Sequence, residues 1–185
     1  MSNEPIDRIR QALGIQQQFF PGFFDDLLSD DGSITLDLIH AVAQSAGRGA
    51  ASVTCPELIS RFARNYLAGQ SQKSILDPWA GVGSLLIPVA EAAGSTCSAN
   101  GVDPNPALVG LAEEISAGAK ISWTVDDSSA WLQRTYETFD TVVCNPPFGV
   151  RTEPTTIDYD HHKIDIRDDL GNIALLISCL RLTDN

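Results

Sequence analysis

The most restrictive feature of this sequence is a glycine-rich turn that directly follows a short apolar run. The run Ser74–Asp77 has the length and composition of a buried strand, and Gly81 and Gly83 follow it before a second apolar segment. Glycines allow a backbone to turn sharply and to approach a ligand, and a helix after such a turn presents its positive N-terminus. A plain strand-to-helix turn is the alternative, because glycine-rich turns are common. The Gly-Lys-Ser/Thr element is absent, so a P-loop is not predicted.

Strand-like and helix-like segments alternate along the chain after residue 55. The apolar patterns predict four strands, at residues 74–77, 98–103, 120–125 and 138–144. Helices are predicted from Pro56 to about residue 69 and at 84–93, 106–117 and 170–182, with a polar, irregular stretch at 149–167. Pro88 predicts a kink in its helix. This alternation predicts the α/β class with a Rossmann-like, doubly wound parallel sheet. Because such sheets usually have more strands, an end after strand four indicates the N-terminal part of a larger protein.

The first 50 residues are predicted to form a small helical segment. Apolar residues recur at helical spacing, first at Ile6, Ile9 and Leu13 and again after residue 32. Four phenylalanines could form a docking surface, but packing is the simpler explanation for such a cluster. They are Phe19, Phe20, Phe23 and Phe24. Small residues at 47–51 form a linker, which predicts a helical segment at 1–50 and an α/β domain at 51–185.

The charge of the chain restricts its partners. The 185 residues carry a formal net charge of −12, with only 12 Lys and Arg. Binding a nucleic-acid backbone requires a basic surface. Either the substrate is not a nucleic acid, or another part of the protein supplies that surface. We favour the second alternative, because the predicted sheet ends early.

The chain has no recognisable membrane or secretion signal. No apolar run is long enough to span a bilayer, and the first 18 residues lack the pattern of a signal peptide. The cysteines are scattered without a CxxC pair, at Cys55, Cys97, Cys144 and Cys179. These features predict reduced thiols, no zinc site and a cytoplasmic location without membrane contact.

Acidic residues follow three of the predicted strands, at the edge where open α/β sheets bind ligands. Asp77 ends the first strand, where its carboxylate could accept from a ligand ammonium group. Asp103 ends the second strand, about 20 residues after the glycines, where nucleoside-binding folds place an acceptor for sugar hydroxyls. Asp126 and Asp127 follow the third strand, where an acceptor could hold an adenine amino group. Helix N-capping by Asp-Ser-Ser is the competing explanation there.

A proline-locked loop after the fourth strand carries the most specific signal. It reads Asn145-Pro146-Pro147-Phe148. The prolines fix the loop and remove two donors, so the side-chain carbonyl of Asn145 and the backbone carbonyl of Pro146 are presented as acceptors. Two such acceptors can hold an exocyclic amino group while Phe148 stacks on its planar ring. A proline-rich turn without function would not explain an amide and an aromatic ring flanking two prolines.

From about residue 50 onward, these motifs resemble the class I S-adenosylmethionine-dependent N6-adenine DNA methyltransferases. The modification subunit of type I restriction systems has the most similar pattern. The resemblance implies that the turn binds the methionine end of S-adenosylmethionine, that Asp103 binds its ribose, and that Asp127 or Asp126 contacts its adenine. Cys55-Pro56 resembles the Thr-Pro that opens a cofactor-contacting helix, with Cys in place of Thr. The implied cofactor-binding residues are Cys55, Pro56, Asp77, Pro78, Ala80, Gly81, Gly83, Asp103, Asp126 and Asp127. The implied catalytic residues are Asn145, Pro146, Pro147 and Phe148.

The resemblance implies methyl transfer to the N6 amino group of an adenine that is flipped out of DNA. Specificity and restriction subunits are the implied partners. No metal is expected, because a solvated loop explains His161-His162 and its acidic neighbours. RNA methyltransferases and protein-glutamine methyltransferases share the Asn-Pro-Pro element and are alternatives. A non-catalytic fragment that binds cofactor or a partner is another. Phe148, the glycine turn and the Cys-Pro helix favour the DNA class, and the exposed fourth strand predicts self-association.

Overall fold

The central element is a four-stranded parallel sheet. A computed structural model of the chain describes residues 4–20, 22–47, 54–70, 73–135, 137–146, 155–159 and 162–166. The strands are β1 (Ser74–Asp77), β2 (Ser98–Asp103), β3 (Ile121–Val125) and β4 (Thr141–Val142). They lie in the order β3-β2-β1-β4, and every pair is parallel. The predicted α/β class with a doubly wound parallel sheet is confirmed. The chain order reverses between β1 and β4, which is where open sheets of this type bind ligands.

Six helices accompany this sheet in the described part of the chain. They are α1 (Glu4–Ala12), α2 (Leu36–Ser45), α3 (Glu57–Leu67), α4 (Leu86–Ala93), α5 (Pro106–Ile115) and α6 (Ser128–Arg134). A short 3-10 turn covers Asp25–Leu27. Side-chain caps explain where three helices begin, since each cap satisfies a free N–H of the first turn. Thr35 accepts from the N–H of Leu38, Asn105 from Ala107 and Asp127 from Ala130.

The core lies on both faces of the sheet, because successive strand side chains point in opposite directions. Ile75 and Ala99 pack on one face with Leu86 and Val89 of α4. The neighbouring residues Leu76 and Val102 pack on the other face with Leu132 of α6 and with Phe139. Helices on both faces keep the edge of the sheet at the strands' carboxyl ends accessible.

The N-terminal helices pack against the sheet domain. Residues of α1 and α2, including Ile9 and Leu38, share one apolar cluster with Leu108 and Leu111 of α5. Arg8 of α1 forms an ion pair with Glu114 of α5. The boundary predicted near residue 50 stays a prediction, because residues 48–53 lie outside the described ranges.

Only two of the four phenylalanines pack against the apolar core as predicted. Phe24 is 4% exposed and packs in the apolar cluster of α1 and α2, and Phe19 packs against the same cluster. Phe20 and Phe23 remain 84% and 60% exposed. Their rings therefore contribute mostly to the surface of the N-terminal segment.

Several predicted boundaries were wrong. The helix predicted at 84–93 begins at Leu86, so Pro88 stands in its first turn, where a missing N–H breaks no intrahelical bond and no kink is required. The fourth strand pairs only at Thr141–Val142 rather than over 138–144. Helix α6 is not among the predicted helices, although N-capping at Asp127 was the alternative explanation for its Asp-Ser-Ser sequence and is what the structure shows.

The stretch predicted to be irregular contains a β-hairpin. Strands β5 (Thr155–Tyr159) and β6 (His162–Ile166) pair antiparallel, with Thr155 opposite Ile166 and Tyr159 opposite His162. The prediction of irregular structure was wrong for these residues. The helix predicted at 170–182 lies outside the described residues, so it stays a prediction.

One helix presents an apolar face to solvent. Leu58, Ile59, Phe62 and Tyr66 of α3 are each at least half exposed, and the rings of Phe62 and Tyr66 stack. The buried side of α3 carries Ser60 and Leu67 instead. Among the described helices, none is long and apolar enough to cross a membrane. Cys55 and Cys97 are buried free thiols.

Candidate active site

The carboxyl ends of β1, β2 and β4 surround the main cavity of interest. Its lining residues are Cys55, Asp77, Trp79, Ala80, Gly81, Ser84, Leu85, Asp103, Pro104, Leu108 and Asn145. Six predicted site residues are therefore brought together, from four separate stretches of the chain. Because these stretches include the ends of β1, β2 and β4, the cavity spans the point where strand order reverses.

Asp77 ends β1 and is almost completely buried, with 1% of its surface exposed. Burial raises its pKa to about 7, and the charge of Asp103 acts in the same direction. One carboxylate oxygen accepts the N–H of Trp79 at 3.1 Å, which partly opposes this rise. Since a carboxylate can accept about four hydrogen bonds, Asp77 retains acceptor capacity toward the cavity. A cationic ligand group would be stabilised there, because it compensates a buried charge.

Asp103 ties the glycine turn to β2. Its Oδ2 accepts the N–H of Gly81 at 3.0 Å, and its Oδ1 accepts the N–H of Asn105 at 2.9 Å. The N–H of Ala80 also donates to the carbonyl of Val102 at 3.0 Å. Burial raises the pKa of Asp103, whereas the two backbone donors lower it. One lone pair of each carboxylate oxygen remains for a ligand such as a pair of vicinal hydroxyls.

Positive backbone dihedrals shape the turn itself. Gly81 has a φ of 55° and Gly83 a φ of 78°, a region that favours glycine over side-chain-bearing residues. The N–H of Gly83 donates to the carbonyl of Ala80, and the carbonyl of Gly83 accepts from Ile87 in the first turn of α4. The turn therefore delivers the chain directly into a helix N-terminus beside the cavity.

Cys55 connects the start of α3 to the same turn. Its N–H donates to Oγ of Ser84 at 2.7 Å, and Oγ of Ser60 donates to the carbonyl of Ser84 at 2.9 Å. Burial, with a contribution from Asp77, raises the pKa of the Cys55 thiol to about 11. The thiol is protonated at neutral pH, so Cys55 contributes a wall of the cavity and not a nucleophile.

Asn145 reaches the cavity from the other side of the strand-order reversal. It follows β4, which is fixed to β1 by a hydrogen bond of 2.9 Å from the N–H of Val143 to the carbonyl of Leu76. Asn145 is half-buried and the following Pro146 is buried. Pro147 and Phe148 lie outside the described residues, so their contribution stays a prediction.

Other predicted residues stand outside the cavity lining. Pro56 is the residue before α3, while Pro78 and Gly83 shape the turn. Asp127 caps α6 through the N–H of Ala130 at 2.8 Å, and Asp126 forms an ion pair with Arg134. The capping explanation therefore holds for Asp127, and a contact with a cofactor adenine stays a prediction for both residues.

Sequence reasoning missed some residues of the cavity. Trp79 and Pro104 lie inside the motifs themselves, Ser84 and Leu85 lie between the glycine turn and the start of α4, and Leu108 belongs to α5. The hydrogen bonds of Ser84 with Cys55 and Ser60 join positions 29 and 24 residues apart, so local sequence patterns carry no signal for them. Among the described residues, no group of three or more His, Cys, Asp and Glu side chains is arranged to hold a metal ion.

Solved structures share this architecture. A proposed class I S-adenosylmethionine-dependent methyltransferase from Listeria monocytogenes is 17% identical, with 98% of this chain and 71% of that chain covered and a TM-score of 0.57. An S-adenosylmethionine-dependent methyltransferase from Agrobacterium tumefaciens is 21% identical, with 70% and 42% covered and a TM-score of 0.50. A Podospora anserina methyltransferase solved with S-adenosylhomocysteine is 12% identical, with 79% and 59% covered and a TM-score of 0.50. At these identities the likeness shows the fold, which is the class I methyltransferase fold.

The chain spans 42% of the Agrobacterium protein that it matches. A search of the curated proteins finds no match. The family model described as N-6 DNA Methylase matches residues 32–173, a range that includes the glycine turn, Asp103 and the Asn145–Phe148 loop. This match covers well over half of the sequence. The chain belongs to the N-6 DNA methylase family.

Proposed function

We propose that this chain transfers a methyl group from S-adenosylmethionine to the N6 amino group of adenine in DNA. The observation that carries the proposal is the meeting of Asp77, Asp103 and Asn145 in one cavity. Two carboxylates at neighbouring strand ends suit the cationic and hydroxyl-bearing parts of such a cofactor. An amide on the third strand end suits an amino group that approaches it.

The cavity residues fit this cofactor chemically. Asp77 is buried and has acceptor capacity left for an ammonium group. Asp103 keeps one lone pair on each oxygen for the two ribose hydroxyls after binding Gly81 and Asn105. The turn at Gly81 has no side chain there, which leaves room for a ligand near the backbone.

The bound cofactor supplies an electrophilic methyl group, which the amino nitrogen takes while the sulfur keeps the electron pair of the broken bond. The side-chain carbonyl of Asn145 accepts a hydrogen bond from one N–H of the amino group, and the backbone carbonyl of Pro146 accepts a hydrogen bond from the other N–H. These contacts direct the nitrogen lone pair toward the cofactor. The proton lost from nitrogen passes to solvent. Alignment and exclusion of water are therefore the main contributions of the protein.

The acidic surface bears on how DNA is held. The net charge is −12, and Arg8, Arg10 and Arg134 are already in ion pairs with acidic side chains. The excess of negative charge opposes contacts with DNA phosphates. We therefore assign DNA binding, and the choice of target sequence, to partner subunits of a restriction-modification system. Flipping of the target adenine brings its amino group to Asn145.

Transfer of labelled methyl groups tests this proposal. Unmethylated DNA, RNA and glutamine-containing protein are offered separately to the chain with its partner subunits. Label in DNA that digests to N6-methyladenine supports the proposal, and Asn145→Ala should remove it. Label found only in RNA or protein would assign the chain to the alternative substrates instead.

A further inference from the structure

The indole of Trp123 lies directly against two glycines of the cofactor-binding edge. A Cβ atom placed on Gly83 would lie 2.7 Å from Cη2 of the indole, and one placed on Gly101 would lie 2.3 Å from its Cζ3. Both distances are far below those of real Cβ contacts. Gly83 belongs to the glycine turn, and Gly101 lies opposite Asp77 in the β1–β2 register. At position 101 the ring is therefore the nearest obstacle to a side chain, with Cδ2 of Leu86 next at 3.1 Å, whereas at position 83 Cδ1 of Ile87 lies as close as the ring, at 2.7 Å.

A hydrogen-bond chain fixes the orientation of this ring. Nε1–H of Trp123 donates to Oγ of Ser116 at 3.0 Å, and Oγ of Ser116 donates to the carbonyl of Ala112 in α5 at 2.6 Å. Ser116 is buried at the C-terminal end of that helix. Because the hydroxyl both donates and accepts, it holds the indole to α5 rather than leaving it free to rotate.

The ring contacts the turn at the point where its shape is set. The carbonyl of Gly83 starts α4 by accepting from Ile87, and the N–H of Gly83 donates to Ala80 of the cavity wall. A movement of Gly83 would thus shift both the N-terminus of α4 and a lining residue. Trp123 itself does not line the cavity.

We propose that Trp123, anchored by Ser116, is a positioning residue that fixes the distance between the glycine turn and β2 for cofactor binding. This inference rests on the proposed cofactor site. The large ring on β3 and the absence of a side chain at positions 83 and 101 form one complementary packing unit. Its effect on the cofactor acts through the turn, since the indole itself does not line the cavity.

Adding a methyl group at position 101, with and without the Trp123 indole, tests whether the two positions pack in a complementary way. Gly101 lies in β2 without a positive φ, so Gly101→Ala is opposed by the indole and not by backbone strain. We expect Gly101→Ala to raise the cofactor Kd about tenfold, a change of about 1.4 kcal/mol. In a Trp123→Val background, the added methyl group fills vacated space, so Gly101→Ala should leave the Kd of that background unchanged or lower it. Equal losses in both backgrounds would overturn the proposal, because independent sites are additive.

Two matched variants separate positioning from general destabilisation. Ile121 lies on the same strand and face as Trp123 and packs in the same cluster, at the end of β3 away from the cavity. Ile121→Ala should lower the thermal midpoint but leave the cofactor Kd within about twofold, whereas Trp123→Val should raise it about tenfold. Gly110 has no atom within 4 Å of an added Cβ, so Gly110→Ala controls for the glycine replacement itself. A Kd that rises as much in Ile121→Ala as in Trp123→Val would overturn the positioning role.

A milder variant covers the case in which Trp123→Val does not fold. Ser116→Ala removes only the anchor of the indole, and we expect it to weaken cofactor binding about threefold, while Trp123→Phe should retain part of the affinity lost by Trp123→Val. Calorimetry with S-adenosylhomocysteine reports these values. A wild-type chain that binds no cofactor would overturn the proposed function together with this inference. Wild-type binding that is insensitive to Ser116→Ala, Trp123→Val and Gly101→Ala would overturn this inference alone.

Discussion

Replacement of Asp103 by alanine is the most informative single perturbation of the cofactor site. The carboxylate already accepts from Gly81 at 3.0 Å and Asn105 at 2.9 Å, which leaves one lone pair on each oxygen for the cofactor. A hydrogen bond to a charged acceptor contributes roughly 1.5–3 kcal/mol. Loss of the ribose contacts should therefore raise the cofactor Kd by about one to two orders of magnitude. Asp103→Asn, which keeps one carbonyl acceptor, should give an intermediate Kd in the same calorimetric titration.

Asp140 provides the matched control for this prediction. Its Oδ2 also accepts from two backbone N–H groups, those of Lys73 and Ser74, each at 2.9 Å. Asp140 lies at the opposite end of β1 from the cavity, so Asp140→Ala should reduce the stability of the fold without weakening cofactor binding. If folded Asp103→Ala binds S-adenosylhomocysteine as tightly as the wild type, Asp103 does not contact the cofactor and the assignment fails.

Three further predictions concern catalysis, pH and association. Asn145→Ala should abolish methyl transfer to DNA with little change in cofactor Kd, since Asn145 holds the target amino group; near-wild-type turnover would remove it from the catalytic role. The folded pKa of Asp77, about 7, lies above its ordinary value of 3.8, so the folded state binds this proton more tightly than the unfolded state. The free energy of unfolding should therefore decrease as the pH rises from about 4 to about 7. Ionisation over the same range should strengthen binding of the cofactor ammonium group, and Asp77→Asn should lose most of both pH dependences. Because Asp103 also has a raised pKa, a profile that is unchanged in Asp77→Asn would assign the titration to Asp103. By itself the chain should self-associate in light scattering through the exposed apolar face of α3 and methylate no DNA detectably, whereas a stable, active monomer would contradict both the charge argument and the role of that face.

The parts of the site that sequence predicted are those encoded by local patterns. The apolar run ending at Asp77, the glycines after it and the position of Asp103 follow from strand length and turn chemistry, and all three meet in the structure. Asn145 could be placed because a parallel sheet brings its strand ends to one edge. Helix α6 was missed because seven residues are too few for a clear apolar period, although Asp127 gave a capping signal.

The parts that sequence did not predict depend on contacts between distant segments. Ser84 meets Cys55 and Ser60 across 29 and 24 residues, and Trp123 meets Gly83 across the sheet. These contacts follow from three-dimensional packing, which local periodicity does not contain. The hairpin β5–β6 is different, because alternation of polar and apolar residues at 155–159 and 162–166 was readable as strand. There the polar composition of the whole stretch outweighed a real period-two signal.

A crystal structure of the chain with S-adenosylhomocysteine would show whether the cavity binds the cofactor. We expect cofactor density in the cavity between Asp77, Asp103 and Asn145, with both ribose hydroxyls within hydrogen-bonding distance of the Asp103 carboxylate. The amino group of the methionine part should lie at Asp77, and the sulfur should face the side chain of Asn145. Cofactor density elsewhere on the molecule, or a ribose that does not contact Asp103, would contradict the proposed cofactor site.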